Sequence, residues 1–199
     1  MASRRAKGAE RERAVVDAAS TLIAEQGLAD LRMTDVAERA GMSVGHVTYY
    51  FPSKSELLVR AITASEREFQ EQAEAALARR RDPWTRLRTL IELAAASGPG
   101  DRGWLLWFEV WANAVVDEGV ADAQRGLDRW WTETMHRVIS DGVESGRFEC
   151  DDVDRAAAIL SALTDGLSVR LTLDGSSITR RQLLDYVTST ARDLLGVDA

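Results

Sequence analysis

The sequence predicts an all-α protein of about nine helices, with a small amino-terminal domain of short helices joined by a long helix to a larger helical domain. Three observations carry this. Apolar residues recur at spacings of three and four along nearly the whole chain, no run alternates with the period of two that a strand requires, and the interruptions coincide with capping residues, glycines and the only three prolines. With 199 residues and 45% hydrophobic content, the chain is long enough to bury a substantial core.

Val15, Ala18, Leu22 and Ile23 place the first helix over about Ala9 to Gln26, stopping at Gly27. Thr34 is positioned to cap a second, short helix that ends at Gly41, and Ser43 caps a third. Pro52 forces Phe51 out of helical geometry, and Ser53 with Glu56 then forms a capping box for the long fourth helix, which runs toward Arg81. Asp82-Pro83 opens a fifth helix to about Ser97, closed by SGPGDRG. Arg102 to Asp117, Val120 to Ser145, Val153 to Leu173 behind Asp152, and Arg180 to Leu195 behind the capping box Thr179-Gln182 complete the set. The domains are expected at 1–53 and 54–199.

Charge is unevenly placed on this acidic chain of net charge −7. Residues 1–60 hold 9 Lys/Arg against 8 Asp/Glu, whereas residues 61–199 hold 16 against 24. Arg4, Arg5, Lys7, Arg11 and Arg13 make a basic arm, which reads either as a solvated tail or as a contact for a polyanion. The charged start lacks the apolar run of a signal peptide, and no 18 uninterrupted apolar residues occur, so a cytoplasmic protein without a membrane span is expected. Cys150 has no second cysteine to pair with, and only His46 and His136 could join it, which argues against a zinc site, a metal or any other cofactor. No nucleophile–base arrangement or phosphate-cradling glycine loop is present, so no catalytic residue is assigned and the chain does not read as an enzyme.

Two short helices around a glycine turn, docked between longer ones, form the layout of a helix-turn-helix. On a helical wheel, Val44, Tyr50 and Phe51 lie near Val47 on a packing face, while Gly45, His46, Thr48 and Tyr49 turn outward. Such a face suits a nucleic-acid groove: glycine permits close approach, Thr48 can touch a thymine methyl, and His46 or Tyr49 can reach a base edge or phosphate. The two tyrosines could equally pack beneath the long helix, and His46 could be an idle surface side chain.

The run T-x-V-A-x-x-A-G-x-S-x-G-x-x-x-Y-Y-F-x-x-K-x-x-L-L, starting at Thr34, resembles the DNA-binding domain of the TetR family of bacterial transcriptional regulators over about residues 9 to 60. The resemblance implies that Thr34, Tyr49 and Lys54 hold phosphates, while Ser43, Val44, Gly45, His46 and Thr48 lie in or near the major groove. Tyr50 stands where many members carry histidine. The basic arm would track the backbone or enter a minor groove.

Beyond about Glu66 the sequence changes character. Trp104, Trp107, Phe108 and Trp111 fall on one helical stripe, and Trp130 and Trp131 follow on the next helix. This is either a bulky core or a cavity with aromatic walls; with Glu109, Asp117 and Asp165 nearby in sequence, a cationic small molecule would fit the second reading. Trp104, Trp107, Phe108, Trp111, Trp131 and Asp165 are the candidate effector residues. The stretches LWFEVWANAV and DVDRAAAILSALTDGLSVRL resemble the ligand-binding domain of the BetI-type subgroup, named after a choline-responsive regulator. The last two helices carry wide apolar faces, and in the family these helices pair with their copies in a four-helix bundle. Leu160, Leu163, Leu167, Leu184, Val187 and Ala191 are therefore the expected contacts of a homodimer, unless these faces only close an internal core. The expected function is a ligand-responsive DNA-binding regulator, a repressor that binds a near-palindromic double-stranded operator as a homodimer and is released by a small-molecule effector. A dimeric helical scaffold without operator binding is the alternative.

Overall fold

The structure, a computed structural model, describes the backbone of residues 2–174 and 177–197, with side chains from Gly8 onward. Nine helices occur among the described residues: α1 (Ala2–Asp30), α2 (Met33–Arg39), α3 (Val44–Tyr50), α4 (Lys54–Ala78), α5 (Pro83–Ala94), α6 (Arg102–Ala114), α7 (Glu118–Glu144), α8 (Val153–Leu173) and α9 (Arg180–Leu195). They fall into two compact units. The first comprises residues 1–67 and 105–126, the second residues 68–104 and 127–199.

In the first unit, α1 begins seven residues earlier than its apolar periodicity predicts, so the backbone of the basic arm is helical; the side chains of Arg4, Arg5 and Lys7 lie outside the described residues. The helix breaks at Gly27, whose φ of 80° and ψ of 165° suit a residue without a Cβ. Val15, Ala19, Ile23 and Leu31 are buried, and α1 packs on α2, which packs on α3 through Val36, Ala37 and Val47. Leu57, Leu58, Ala61 and Ile62 bury the first half of α4, and Leu106 and Val110 bury the inner face of α6.

The second unit is built on α8 packed against α9, with α5 against α9. Leu87, Ile91, Met135, Ile139, Leu160, Leu183 and Leu195 are fully buried in one core. Polar ties close its ends: the Arg180 guanidinium donates to the Glu92 carbonyl at 2.6 Å, Ala96 N–H to Ser168 Oγ at 3.1 Å, and Glu149 N–H to the Leu195 carbonyl at 2.8 Å. The non-helical stretch RFEC that follows α7 sends one side chain, Phe148, into the core. Phe148 is buried edge-on to Trp84, and its ring lies where any Cβ on Gly142 would stand. Helix α8 is long and apolar enough to cross a membrane, with a mean hydropathy of 1.3 over its most apolar window; here it is a packed core helix that keeps Thr164, Ser168 and Thr172 buried.

Starts at α8 and α9 match their sequence signals. Asp152 accepts from Arg155 N–H at 2.9 Å, and Thr179 and Gln182 form the predicted capping box.

Candidate DNA interface and effector residues

Recognition-helix geometry follows from its two ends. Ser43 Oγ accepts from His46 N–H at 3.3 Å, which fixes the first turn of α3. At the other end Val47 and Phe51 are buried, and Phe51 N–H donates to the Val47 carbonyl at 2.8 Å before Pro52 ends the helix. A seven-residue helix has little stability of its own, so these two anchors hold it.

Between the anchors, Ser43, Val44, Gly45, His46, Thr48 and Tyr49 are exposed, with Tyr49 at 80%. The Thr48 hydroxyl donates back to the Val44 carbonyl at 3.0 Å, which leaves its methyl group as an apolar contact and its oxygen as an acceptor. Val44, which the wheel assigned to the packing face, is 39% exposed, at the first turn where the chain enters α3. Tyr50 is half-buried, with ring centroids 6.3 Å from His46, 5.3 Å from Tyr49 and 6.5 Å from Phe51. It braces the two exposed rings.

One predicted role is corrected. Thr34 does not cap α2: the N-cap is Arg32, without a side-chain hydrogen bond, and the exposed Thr34 hydroxyl donates to Asp35 Oδ1 at 3.1 Å. The half-buried Lys54, expected at a phosphate, donates from Nζ to the carbonyls of Ala29 at 2.9 Å and Leu28 at 3.4 Å. A polar cleft of about 460 Å³ is lined by Gln26, Asp30, Arg32, Asp35 and Lys54 itself, two carboxylates and two cations.

The six effector candidates divide between the units. In the first, the Trp107 and Trp111 centroids are 5.7 Å apart, Phe108 and Trp111 are 6.2 Å apart, and Trp107 Nε1 donates to Glu66 at 2.8 Å. In the second, Trp104 Nε1 donates to the Ala94 carbonyl at 3.1 Å, and Trp131 Nε1 to Ser161 Oγ at 2.8 Å. Phe69 stands 5.8 Å from Trp130, edge-on, and 6.1 Å from Trp131. One helical turn beyond Ser161 on α8 is Asp165; burial, with a smaller contribution from the Asp128 carboxylate, pushes its pKa up to about 6. Phe69, Trp130, Ser161 and Asp128 were missed as candidates, although the four-residue step from Ser161 to Asp165 places both on one face.

Of the six expected dimer contacts, Leu160, Val187 and Ala191 are fully buried in the chain's own core and have no surface to offer a second copy. They are corrected to core residues. Leu163, Leu167 and Leu184 are half-buried at the edge of that core, and Leu173 and Tyr186 are exposed at 68% and 51%.

Comparison with known proteins agrees with this architecture. Residues 15–61 match the family model of bacterial regulatory proteins of the tetR family, and residues 83–196 match that of the BetI-type transcriptional repressor, C-terminal. The HTH-type transcriptional regulator BetI of Agrobacterium fabrum is 30% identical over 82% of this chain and 77% of its own length, and that of Rhizobium meliloti is 28% identical over 92% and 90%. A transcriptional regulator from Saccharomonospora viridis, solved in complex with choline, is 28% identical with a TM-score of 0.80, over 93% of this chain and 95% of that one. A TetR-family regulator from Rhodococcus sp. is 25% identical with a TM-score of 0.77, over 94% and 99%. A helix-turn-helix match and a carboxyl-terminal match that alone spans more than half of the chain lead to one conclusion: the protein belongs to the TetR family of transcriptional regulators and carries a BetI-type carboxyl-terminal domain.

Proposed function

We propose that the protein represses transcription by binding a near-palindromic DNA operator as a homodimer, and that a small organic cation releases it. The observation that carries DNA reading is the outward face of α3, where His46, Thr48 and Tyr49 project from a helix anchored at both ends. Ser43, Val44 and Gly45 let the first turn approach base edges, Tyr49 reaches phosphate, and Thr34 lies at the edge of the same surface.

Dimerisation is supported by the apolar surface that α8 and α9 leave uncovered at Leu163, Leu167, Leu173, Leu184 and Tyr186. An interface of the common size, about 1,600 Å², would fit two such helices per protomer. Two recognition helices then call for half-sites about 34 Å apart, or somewhat more. Such a target places the protein in the cytoplasm.

The effector reading rests on Phe69, Trp130 and Trp131 in the second unit, with Asp165 and Asp128 supplying negative charge. Aromatic faces with a carboxylate suit a quaternary ammonium, and the similar regulator from Saccharomonospora viridis is bound to choline. Trp104 belongs to the same unit, whereas Trp107, Phe108 and Trp111 form the other aromatic group.

Footprinting on the DNA beside the protein's own gene, with and without choline, tests this reading. A protected near-palindrome that choline exposes supports all of it. Protection insensitive to choline removes the effector assignment, and absence of protection at low salt removes the operator.

A further inference from the structure

Gly45 is a glycine that the fold of this chain does not require. Gly27 and Gly41 in the same unit turn the backbone at φ of 80° and 65°, but φ at Gly45 is not positive, and a Cβ placed on it would meet nothing within 4 Å. It lies in a helix of only seven residues, where glycine is less favourable than alanine. Its effect is to leave bare, exposed backbone in the first turn of α3.

Val44 and Thr48 flank that bare turn. Both are exposed, and residues four apart share one face of a helix. Both end in methyl groups. The Thr48 hydroxyl proton is engaged by the Val44 carbonyl at 3.0 Å and, more weakly, by the Gly45 carbonyl at 3.4 Å, so this side chain has no proton to offer a base. Helix α3 also carries no Arg, Lys, Asn or Gln, the side chains that pair bidentately with guanine or adenine. Guanine presents two acceptors to the major groove, N7 and O6, and neither Val44 nor Thr48 donates to them. Thymine presents a C5-methyl group, to which both are suited. His46, stacked on Tyr50, can add one hydrogen bond at a neighbouring base.

We propose that Val44 and Thr48 select C5-methylated pyrimidines, one thymine each in every half-site, and that Gly45 is bare so that α3 comes within methyl-to-methyl contact of them. The proposal rests on the operator reading above and names the bases it requires. Discrimination at these two positions is apolar, so it depends on the methyl group and not on the rest of the base. A cytosine methylated at C5 carries the same group in the same place, and its amino group donates to the free lone pairs of the Thr48 oxygen. Methylated cytosine therefore replaces thymine at the Thr48 position, whereas plain cytosine does not.

The test takes a duplex that the wild-type protein selects from random sequence and replaces each thymine in turn with deoxyuridine, which removes the methyl group alone. Uracil at one position facing each residue should weaken binding about three- to fivefold, the worth of one buried methyl. Val44→Ala should abolish that sensitivity at one position and Thr48→Ser at the other, while Thr48→Val, which keeps a methyl, should retain it. At the Thr48 position, 5-methylcytosine should bind about three- to fivefold more tightly than cytosine. Gly45→Ala should leave Tm at or above the wild-type value yet weaken binding about tenfold, as both methyl contacts of a half-site are lost. Indifference to uracil at every position, sensitivity that survives Val44→Ala and Thr48→Ser, or wild-type affinity in Gly45→Ala would overturn the proposal. If the wild type selects no duplex at all, the operator reading fails and takes this one with it; a selected duplex with guanine at these positions sinks this proposal alone.

Discussion

Replacing Lys54 with methionine separates two roles that DNA-binding data alone would confuse. Methionine keeps most of the apolar stem and removes the ammonium, so the loss falls on the bonds to the Ala29 and Leu28 carbonyls. A hydrogen bond from a charged donor contributes about 1.5–3 kcal/mol when well formed and shielded. The 2.9 Å bond to Ala29 qualifies by length, the 3.4 Å bond to Leu28 is weak, and Lys54 is only half-buried, so about 1–2 kcal/mol is the expected cost. For a chain of this size each kcal/mol lowers Tm by about 2–4 °C. The assay pairs thermal unfolding with DNA affinity across a salt series. Because the ammonium faces the end of α1, Lys54→Met should lower Tm while leaving the log–log salt slope unchanged. A slope reduced by about 0.9 per protomer, with Tm unaltered, would show a phosphate contact and refute the reasoning.

Four further outcomes follow from the same geometry. Gly27→Ala meets both a strained positive φ and the Glu109 carboxylate, and should destabilise the protein by about 1–3 kcal/mol in denaturant unfolding. Asp165 has a folded pKa of about 6 against an ordinary 3.8, so its ionisation costs stability that is fully felt above pH 6 and absent below about pH 4. Asp165→Asn should therefore raise Tm at pH 7 but not at pH 3.5, while choline binding by the wild type should weaken as pH falls through 6. Leu160→Ala should lower folding stability by about 2–5 kcal/mol as a core truncation, whereas Leu167→Glu should shift the dimer toward monomer in sedimentation with little change in secondary structure. His46→Ala and Thr48→Ala should change preference among operator variants, and Tyr49→Phe should weaken binding uniformly; equal losses on every sequence for all three would show the contact roles to be misassigned.

How much was legible in the sequence depended on whether a signal was local. Asp152 and Thr179-Gln182 mark the starts of α8 and α9 because capping is decided within three residues. The anchored α3 and its exposed face were readable from Ser43, Val47 and Pro52 for the same reason. Thr34 misled because a threonine near a helix start can cap or sit inside the first turn, and the extended Arg32 took the cap position. Lys54 was unreadable, since its carbonyl partners lie 25 and 26 residues earlier and are exposed only by the break at Gly27. Leu160, Val187 and Ala191 looked like dimer contacts because periodicity identifies an apolar face without identifying what covers it. Among the aromatic residues, spacing found the stripe on α6 but not the meeting of Phe69 with Trp130 and Trp131, which comes from helices some sixty residues apart.

The division of α6 from its neighbours in sequence bears on how this protein could be re-engineered. Residues 105–126 fold with the DNA-reading helices, although they follow them by about forty positions. A chimera that takes only the amino-terminal segment from one regulator and the remainder from another would pair a foreign Glu109 and Trp107 with a native Gly27 and Glu66. Transplanting operator specificity into a different sensor thus requires moving two stretches of chain together, and a fragment ending at residue 67 lacks part of its own core. Recombination between relatives at that single junction would yield mismatched seams more often than working hybrids.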